Sequence, residues 1–344
     1  MRRRAAALLL LLLAWPGLAA GEMSLPPGFT AKVYVTGEGF DEGRRAIGIP
    51  STSSLVFDAG GRLYASRTGR RYVGGEVDDV WPIYRFPVGG ARLTKDTEGK
   101  AFYGPPLPNP QVAAVRGAEV LVTTYDRDRV IGVLYRLVDG RAELLAGGTP
   151  PTRLMPPALK QPEGVAFDAE GNLLVADRQH NAVMKLDPAG KVLDPRWLLF
   201  PRPRLLVVRG ERMWVAADGE AEAPWARGTG EVWAVGPEGR RLALRGPIAS
   251  GMDVSPGGHL IVADRSNARL MAVGADATSI ELVSFTDGDA PRALAFAPVT
   301  DATRKAGIAG DLFVSVIRRG TWSLNEIVRI TGPFDDHVRT KLPR

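Results

Sequence analysis

The feature that most constrains this chain is a short unit that recurs along it, seen most clearly at 161–187, QPEGVAFDAEGNLLVADRQHNAVMKLD. Gly164 to Phe167 is an apolar run, Asp168 to Asn172 (DAEGN) is a turn cluster, and Leu173 to Ala176 is a second apolar run. Such a pattern reads as two strands joined by a tight turn. A polar connection through His180 and Asn181 leads to Ala182–Leu186, whose alternation predicts a third strand. A single antiparallel sheet of this size cannot bury both of its faces, so it needs copies of itself on either side.

The copies are present. Leu55-Val56-Phe57, the turn DAGGR and Leu63-Tyr64-Ala65-Ser66 form the first, with Ile83–Phe86 as its third strand after a glycine-rich, charged insertion from Arg67 to Trp81. Gln111–Val115, RGAE and Val120–Thr124 form the second; Arg204–Val208, RGER and Met213–Ala217 the fourth; SGMDVSPGGHLIVADRSNARLMAV the fifth; Arg292–Phe296 with Leu312–Val316 the sixth. The second strands begin at Leu63, Val120, Leu173, Met213, Leu260 and Leu312, at intervals of 57, 53, 40, 47 and 52 residues. That spacing is near the period of a four-stranded propeller blade. The expected fold is therefore all-β: a six-bladed β-propeller of four-stranded antiparallel blades. Phe29–Val35, which alternates but has no partner beside it in sequence, is expected to complete the last blade and close the ring, removing open sheet edges. No window outside the first residues sustains helical periodicity, so little helix is expected.

At the amino end, Arg2–Arg4, the apolar run Ala5–Trp15 and the small residues Leu18-Ala19-Ala20-Gly21 read as a cleaved secretory signal over residues 1–21, leaving 22–344 as one propeller domain. The apolar run is shorter than the ~20 residues of a spanning helix, and none elsewhere is longer, so no membrane span is expected in the mature chain. A periplasmic or secreted location follows. The chain has 44 basic and 38 acidic residues; without the three signal arginines the balance is 41 to 38, a formal +3. With no Lys/Arg-rich block, nucleic acid is not an expected partner. The absence of cysteine excludes disulfides, thiolate catalysis and thiolate metal sites. The 40 glycines and 27 prolines are spread along the chain, as many tight turns require.

PEGVAFDAEGNLLVADRQHNAVMKL and SGMDVSPGGHLIVADRSNARLMAV resemble the NHL repeat, closely over these two blades and loosely over the others. The resemblance implies the propeller fold shared with gluconolactonase-like proteins, and not a particular chemistry. LPPGFTAKVYVTG at Leu25–Gly37 and GDLFVSVIRRGTWSLNEIVRI at Gly310–Ile330 resemble the opening and closing segments of soluble quinoprotein sugar dehydrogenases of the sorbosone dehydrogenase group. That likeness implies pyrroloquinoline quinone with calcium and a histidine base. The chain's three histidines, His180, His259 and His337, all lie outside the first blades.

In a propeller, the residue opening each innermost strand faces the mouth of the central channel. Aligned copies place Ser53, Gln111, Glu163, Arg204, Ser250 and Arg292 there, and Pro110, Pro162, Pro203 and Pro291 precede four of them. Metal-dependent gluconolactonases surround the channel with carboxylates and asparagines as oxygen ligands. Glu163 matches the acidic member of that set; Ser250 stands where asparagine is expected, and the arginines would repel a cation. Two arginines across a polar mouth suit an anion instead, or they pair with Glu163 or a loop carboxylate and close the mouth. Arg67, Arg178 and Arg265 could add to the field or be solvated. Asp168, Asp177 with Asn181, and Asp264 with Asn267 read as turn chemistry. His180 and His259 read as solvated, and Trp81 and Trp225 stand out because they fall in long loops.

The expected function is thus an exported, monomeric binding module for a small anionic ligand or a partner protein, without a cofactor. Replacing Arg204 and Arg292 together by alanine should abolish binding at little cost in thermal stability. The alternatives are a pyrroloquinoline-quinone-dependent sugar or aldehyde dehydrogenase and a metal-dependent gluconolactonase-like hydrolase.

Overall fold

The computed structural model describes residues 23–40, 46–49, 52–66, 80–126, 129–149, 158–221, 228–274, 276–317 and 326–342. The signal segment, Arg67, Trp225 and residues 320–323 lie outside them. Six antiparallel blades surround one axis, each a meander from the innermost to the outermost strand. Their innermost strands are Leu55–Phe57, Gln111–Arg116, Pro162–Phe167, Pro203–Arg209, Ala249–Val254 and Ala290–Phe296, and each touches the innermost strand of the next blade, the sixth returning to the first. The six-bladed propeller is the observed fold.

The blades pack through six apolar clusters, one per interface. Leu173 and Val175 face blade 2, while Leu174 and Ala176 on the same strand face blade 4. Side chains alternate across a strand, so a sheet covered on both faces needs apolar residues at every position. This is why the second strands read as unbroken apolar runs instead of alternating ones. Leu173–Asp177 and Leu260–Asp264 are buried at every residue. In the sixth interface, Phe313 meets Tyr34 and Phe57 edge-on, at centroid distances of 4.7 and 4.8 Å.

Closure occurs as expected. Thr30–Gly37 pairs antiparallel with Glu326–Thr331 as the fourth strand of blade 6, in register from Thr30 opposite Thr331. Two additions were not legible in the repeat pattern. Met23–Ser24 extends blade 5 along Ser279–Phe285, and Ala91–Leu93, an excursion between the third and fourth strands of blade 1, runs parallel to Thr30–Gly37. Both cover edges that would otherwise present unpaired backbone groups. Among the described residues helix is confined to α1 (Glu98–Ala101), α2 (Asp301–Lys305), α3 (Phe334–Lys341) and a 3₁₀ turn at Arg178–His180. Thr300 caps α2 with a reciprocal Thr300–Thr303 box. Among the described residues no helix is long and apolar enough to cross a membrane.

Candidate functional site at the axial mouth

Four of the six innermost strands carry the same distortion at their opening. The antiparallel register slips between Pro162 and Val165, Pro203 and Leu205, Ala249 and Gly251, and Pro291 and Ala293. Glu163, Arg204, Ser250 and Arg292 are the residues at these slips. A bulge leaves one residue outside the ladder and re-aims its side chain, so four blades turn the predicted residue out of the regular pleat at the same place. Space there is tight: a Cβ at Gly164 would lie 2.7 Å from the Arg204 carbonyl oxygen, and one at Gly251 2.8 Å from Ala293 Cα. Glycine directly after Glu163 and Ser250 is what lets neighbouring innermost strands converge.

The polar groups at this end join blade to blade in a closed circuit. Ser53 Oγ donates to Gln111 Oε1, joining blades 1 and 2. Thr123 Oγ1 donates to the Glu163 carbonyl at 2.9 Å. Arg178 Nε lies 3.4 Å from Asp218 Oδ2 between blades 3 and 4, and Arg204 donates through a terminal nitrogen to the Ala249 carbonyl between blades 4 and 5. Ser250 Oγ is shared between the carbonyls of Ala263 at 3.1 Å and Pro291 at 3.2 Å, the latter in blade 6. Ser315 Oγ donates to the Thr52 carbonyl at 3.2 Å and returns the circuit to blade 1.

The six predicted residues therefore differ in circumstance. Ser53, Gln111, Glu163 and Arg292 are half-buried, whereas Arg204 is 4% and Ser250 3% exposed. Arg204 is held from two sides, its Nε lying 2.8 and 3.1 Å from the two Asp218 oxygens. The expectation that Arg204 can be removed at little cost in stability is corrected: a buried guanidinium so placed neutralises a buried carboxylate. Of the second-strand arginines, Arg178 is buried and shares Asp218, so it adds to this network instead of being solvated. Ser250, buried with its hydroxyl committed to two carbonyls, joins blades and does not line open space.

Glu163 is the predicted mouth carboxyl whose acidity the fold weakens. Removal from water raises its pKa and the Asp218 carboxylate raises it further; Arg204, Arg178 and the hydrogen bond from Gln161 Nε2 at 2.9 Å act against this without cancelling it. Arg204, despite burial, is held more firmly protonated than usual by Asp218 and Glu163. Gln179 in turn donates to Gln161 at 3.3 Å, so a chain of amides leads to Glu163.

Asp177 and Asp264 behave as turn residues. Asp177, fully buried, accepts from the amides of Lys160, Gln161 and His180 at 2.7, 3.1 and 3.1 Å, tying the connection from blade 2 to the top of its own strand. Asp264 accepts from Asn267 through its amide at 3.1 Å and its side chain at 2.8 Å. Asn181 takes the left-handed conformation at φ 53° and accepts from the Arg202 amide at 3.0 Å. Asp168 is bonded by Asn172 and by Lys185 at 2.9 Å; burial opposes its ionisation, but these donors hold its pKa down at about 2.

The histidines are partly buried, each beside a protein group, and not simply solvated. His180 Nδ1 sits 3.1 Å from Asp177 Oδ2, though off the line of a hydrogen bond. His259 Nδ1 is 2.9 Å from Asp335 on α3, and His337 meets Phe29 edge-on at 5.5 Å. Sequence reasoning missed Asp218, Gln161, Thr123 and Ser315. Their signal is a polar residue at the end of an otherwise apolar second strand, or one flanking the first. Asp218 was obscured because Pro203 pairs with Ala217 where Pro162 pairs with Asp177, one residue out of step.

Comparison with solved structures places the fold among known propellers. A gluconolactonase from Xanthomonas campestris superposes with a TM-score of 0.59 at 14% identity, over 93% of this chain and 99% of that one. The fold is that of the gluconolactonase-like six-bladed propellers. A Thermus thermophilus oxidoreductase described as a glucose dehydrogenase gives 0.57 at 15% identity, over 88% of this chain and 100% of the other. A further gluconolactonase-type structure gives 0.53 at 14%, over 90% and 93%. No family profile and no curated protein matches the chain by sequence. At such identities the likeness is one of fold.

Proposed function

We propose that the protein is an exported propeller that binds a small hydroxylated carboxylate, a sugar acid or its lactone, at the axial mouth. The observation that carries this reading is the asymmetry of the ring. On the side of blades 4 and 5 the charges are matched internally and buried. On the side of blades 1 to 3, half-buried Ser53, Gln111 and Glu163 present hydroxyl, amide and carboxyl groups. Glu163 is the group best suited to recognition, because its raised pKa lets it accept from a hydroxyl when ionised and donate to a carboxylate when protonated. Half-buried Arg292 brings a guanidinium to the same ring, which favours an anion over a neutral sugar. The sugar-related activities named for the three structural neighbours agree with that ligand class.

Calorimetry with gluconate, glucono-lactone and glucose tests the reading. Gluconate should bind, and Glu163→Gln or Gln111→Ala should weaken it about tenfold or more, the loss of one good polar contact. No heat from any member of the panel would remove the proposal.

A second reading, catalysis, is favoured by one observation: His180 Nδ1 lies 3.1 Å from the buried Asp177 carboxylate at the same end of the axis, a pairing that a modest turn of the ring would convert into the hydrogen bond a general base uses. The calcium and pyrroloquinoline quinone of quinoprotein dehydrogenases do not fit here. Among the described residues no three His, Asp or Glu side chains gather as a ligand set, and the mouth carboxylates Glu163, Asp177 and Asp218 are already bonded to protein donors. Dye-reduction and lactone-hydrolysis assays over the same panel, with and without calcium and the quinone, decide the matter. Turnover lost in His180→Ala with binding retained would establish catalysis.

A further inference from the structure

At the base of the propeller, opposite the mouth, a second cavity of about 530 Å³ opens at the seam where the ring closes. One wall is the end of the third strand of blade 1 with Arg85, Phe86 and Val88; the other is Ala91–Leu93, the strand added beside Thr30–Gly37. Arg62, from the turn between the first two strands of blade 1, and Lys100, on α1, complete the rim. The size is within the range of small-molecule sites, about 300–1,000 Å³.

Two properties set this cavity apart from an incidental dent. Its walls are fixed: Tyr34 donates its hydroxyl to the Pro87 carbonyl at 3.0 Å, and buried Glu98 anchors α1 by accepting from Tyr84 Oη at 2.8 Å and the Gly48 amide at 3.2 Å. Its chemistry is divided. Its accessible apolar surface is that of Pro87, Val88 and Ala91, laid over the buried Phe86 and Leu93, while Arg62, Arg85, Arg92 and Lys100 stand exposed around it. Against these four cations stands Asp58, 3.8 Å from Arg62 Nε at an exposed position where such a pair contributes little. Arg85 lies over the Tyr103 ring at 4.5 Å, on the side of blade 2, so Arg62, Arg92 and Lys100 are the cations that face the cavity.

We propose that this cavity binds an amphiphilic organic anion, a carboxylate with a compact apolar body of the size of a medium-chain fatty acid. The apolar end lies on Val88 and Ala91, and the carboxylate meets Arg62 and Arg92, whose forked donors match its two oxygens, with Lys100 beside them. The site is independent of the axial mouth.

Octanoate, octyl phosphate and octanol are titrated into the full chain by calorimetry, in wild type, in the Arg92→Glu/Lys100→Glu double variant and in Glu163→Gln. Octanoate should bind, octanol at least tenfold more weakly. The double variant should lose at least about tenfold in octanoate affinity, with an unchanged unfolding midpoint, since both positions are exposed. Glu163→Gln should leave octanoate binding unchanged. Octyl phosphate binding more tightly than octanoate would replace the carboxylate by a phosphate within the same site. Equal affinity for octanol, or indifference to charge reversal, would show cations that merely solvate an apolar patch and would overturn the proposal. Binding to anionic lipid vesicles without binding of octanoate would overturn it in favour of a membrane-facing surface.

Discussion

Methionine at position 204 would keep most of the apolar bulk of Arg204 and remove its charge, leaving Asp218 with Arg178 alone. Three interactions disappear: the contacts of Nε with Asp218 at 2.8 and 3.1 Å and the bond to the Ala249 carbonyl. Two opposite charges ~4 Å apart at an effective dielectric of ~20 attract by ~4 kcal/mol, and a buried carbonyl left without its donor costs about 1–3 kcal/mol. The guanidinium's own desolvation is relieved, and Arg178 still lies 3.4 Å from Asp218, so the net loss is about 3–5 kcal/mol, as for other buried pairs broken on one side. With an unfolding entropy of about 2.1 cal/mol/K per residue over roughly 300 folded residues, the midpoint should fall by about 5–8 °C. Thermal denaturation followed by far-ultraviolet circular dichroism at pH 7 measures this. Arg204→Met with Asp218→Leu should cost clearly less than the sum of the two single changes, because the two groups are each other's partner, while Asp218→Leu takes the carboxylate from Arg178 in either background. A fall below about 1.5 °C for Arg204→Met, or losses that simply add in the double variant, would refute the view that this pair is desolvated and coupled.

Glu163→Gln should raise stability at neutral pH. A carboxyl whose folded pKa is raised above the ordinary 4.5 stabilises the fold fully only below that value and loses this as the pH rises through its folded pKa, so the variant's advantage should vanish in acid; unfolding midpoints at several pH values test it. Asp335→Asn should weaken the docking of α3 on blade 5, because burial raises the Asp335 pKa less than Ser255, His259 and the Gly257 amide lower it. That contribution is present above the ordinary value of 3.8 and is lost as the pH falls through the depressed one, so wild type and variant should converge in acid when their midpoints are compared. Gly164→Ala places a Cβ 2.7 Å from the Arg204 carbonyl, where backbone on both sides cannot yield, and should cost about 1–3 kcal/mol by denaturant titration.

The mouth shows where sequence reading reaches its limit. Proline before four of the six strand openings, and glycine after Glu163 and Ser250, mark these positions because a bulged strand crowded at an axis tolerates little else. Which of the six remains accessible could not be read, since burial of Arg204 depends on Asp218, a residue one step out of register with Asp177 in the preceding blade. His180 and His259 read as solvated because their partners, Asp177 and Asp335, are brought to them by a 3₁₀ turn at Arg178–His180 and by a helix from the far end of the chain.

The sequence by itself determined the architecture: blade number, strand order within each blade and closure by Phe29–Val35. Each of these rests on local periodicity and turn chemistry, which the repeats state six times over. Only the tertiary structure decided the fate of the charges. The pairing of Arg204 and Arg178 with Asp218, the raised pKa of Glu163 and the cationic cavity beside Ala91–Leu93 all arise between blades, where side chains from different repeats meet at distances that no spacing within one repeat encodes. Electrostatic character is set by burial and by neighbours, and in a propeller the decisive neighbour belongs to the next blade.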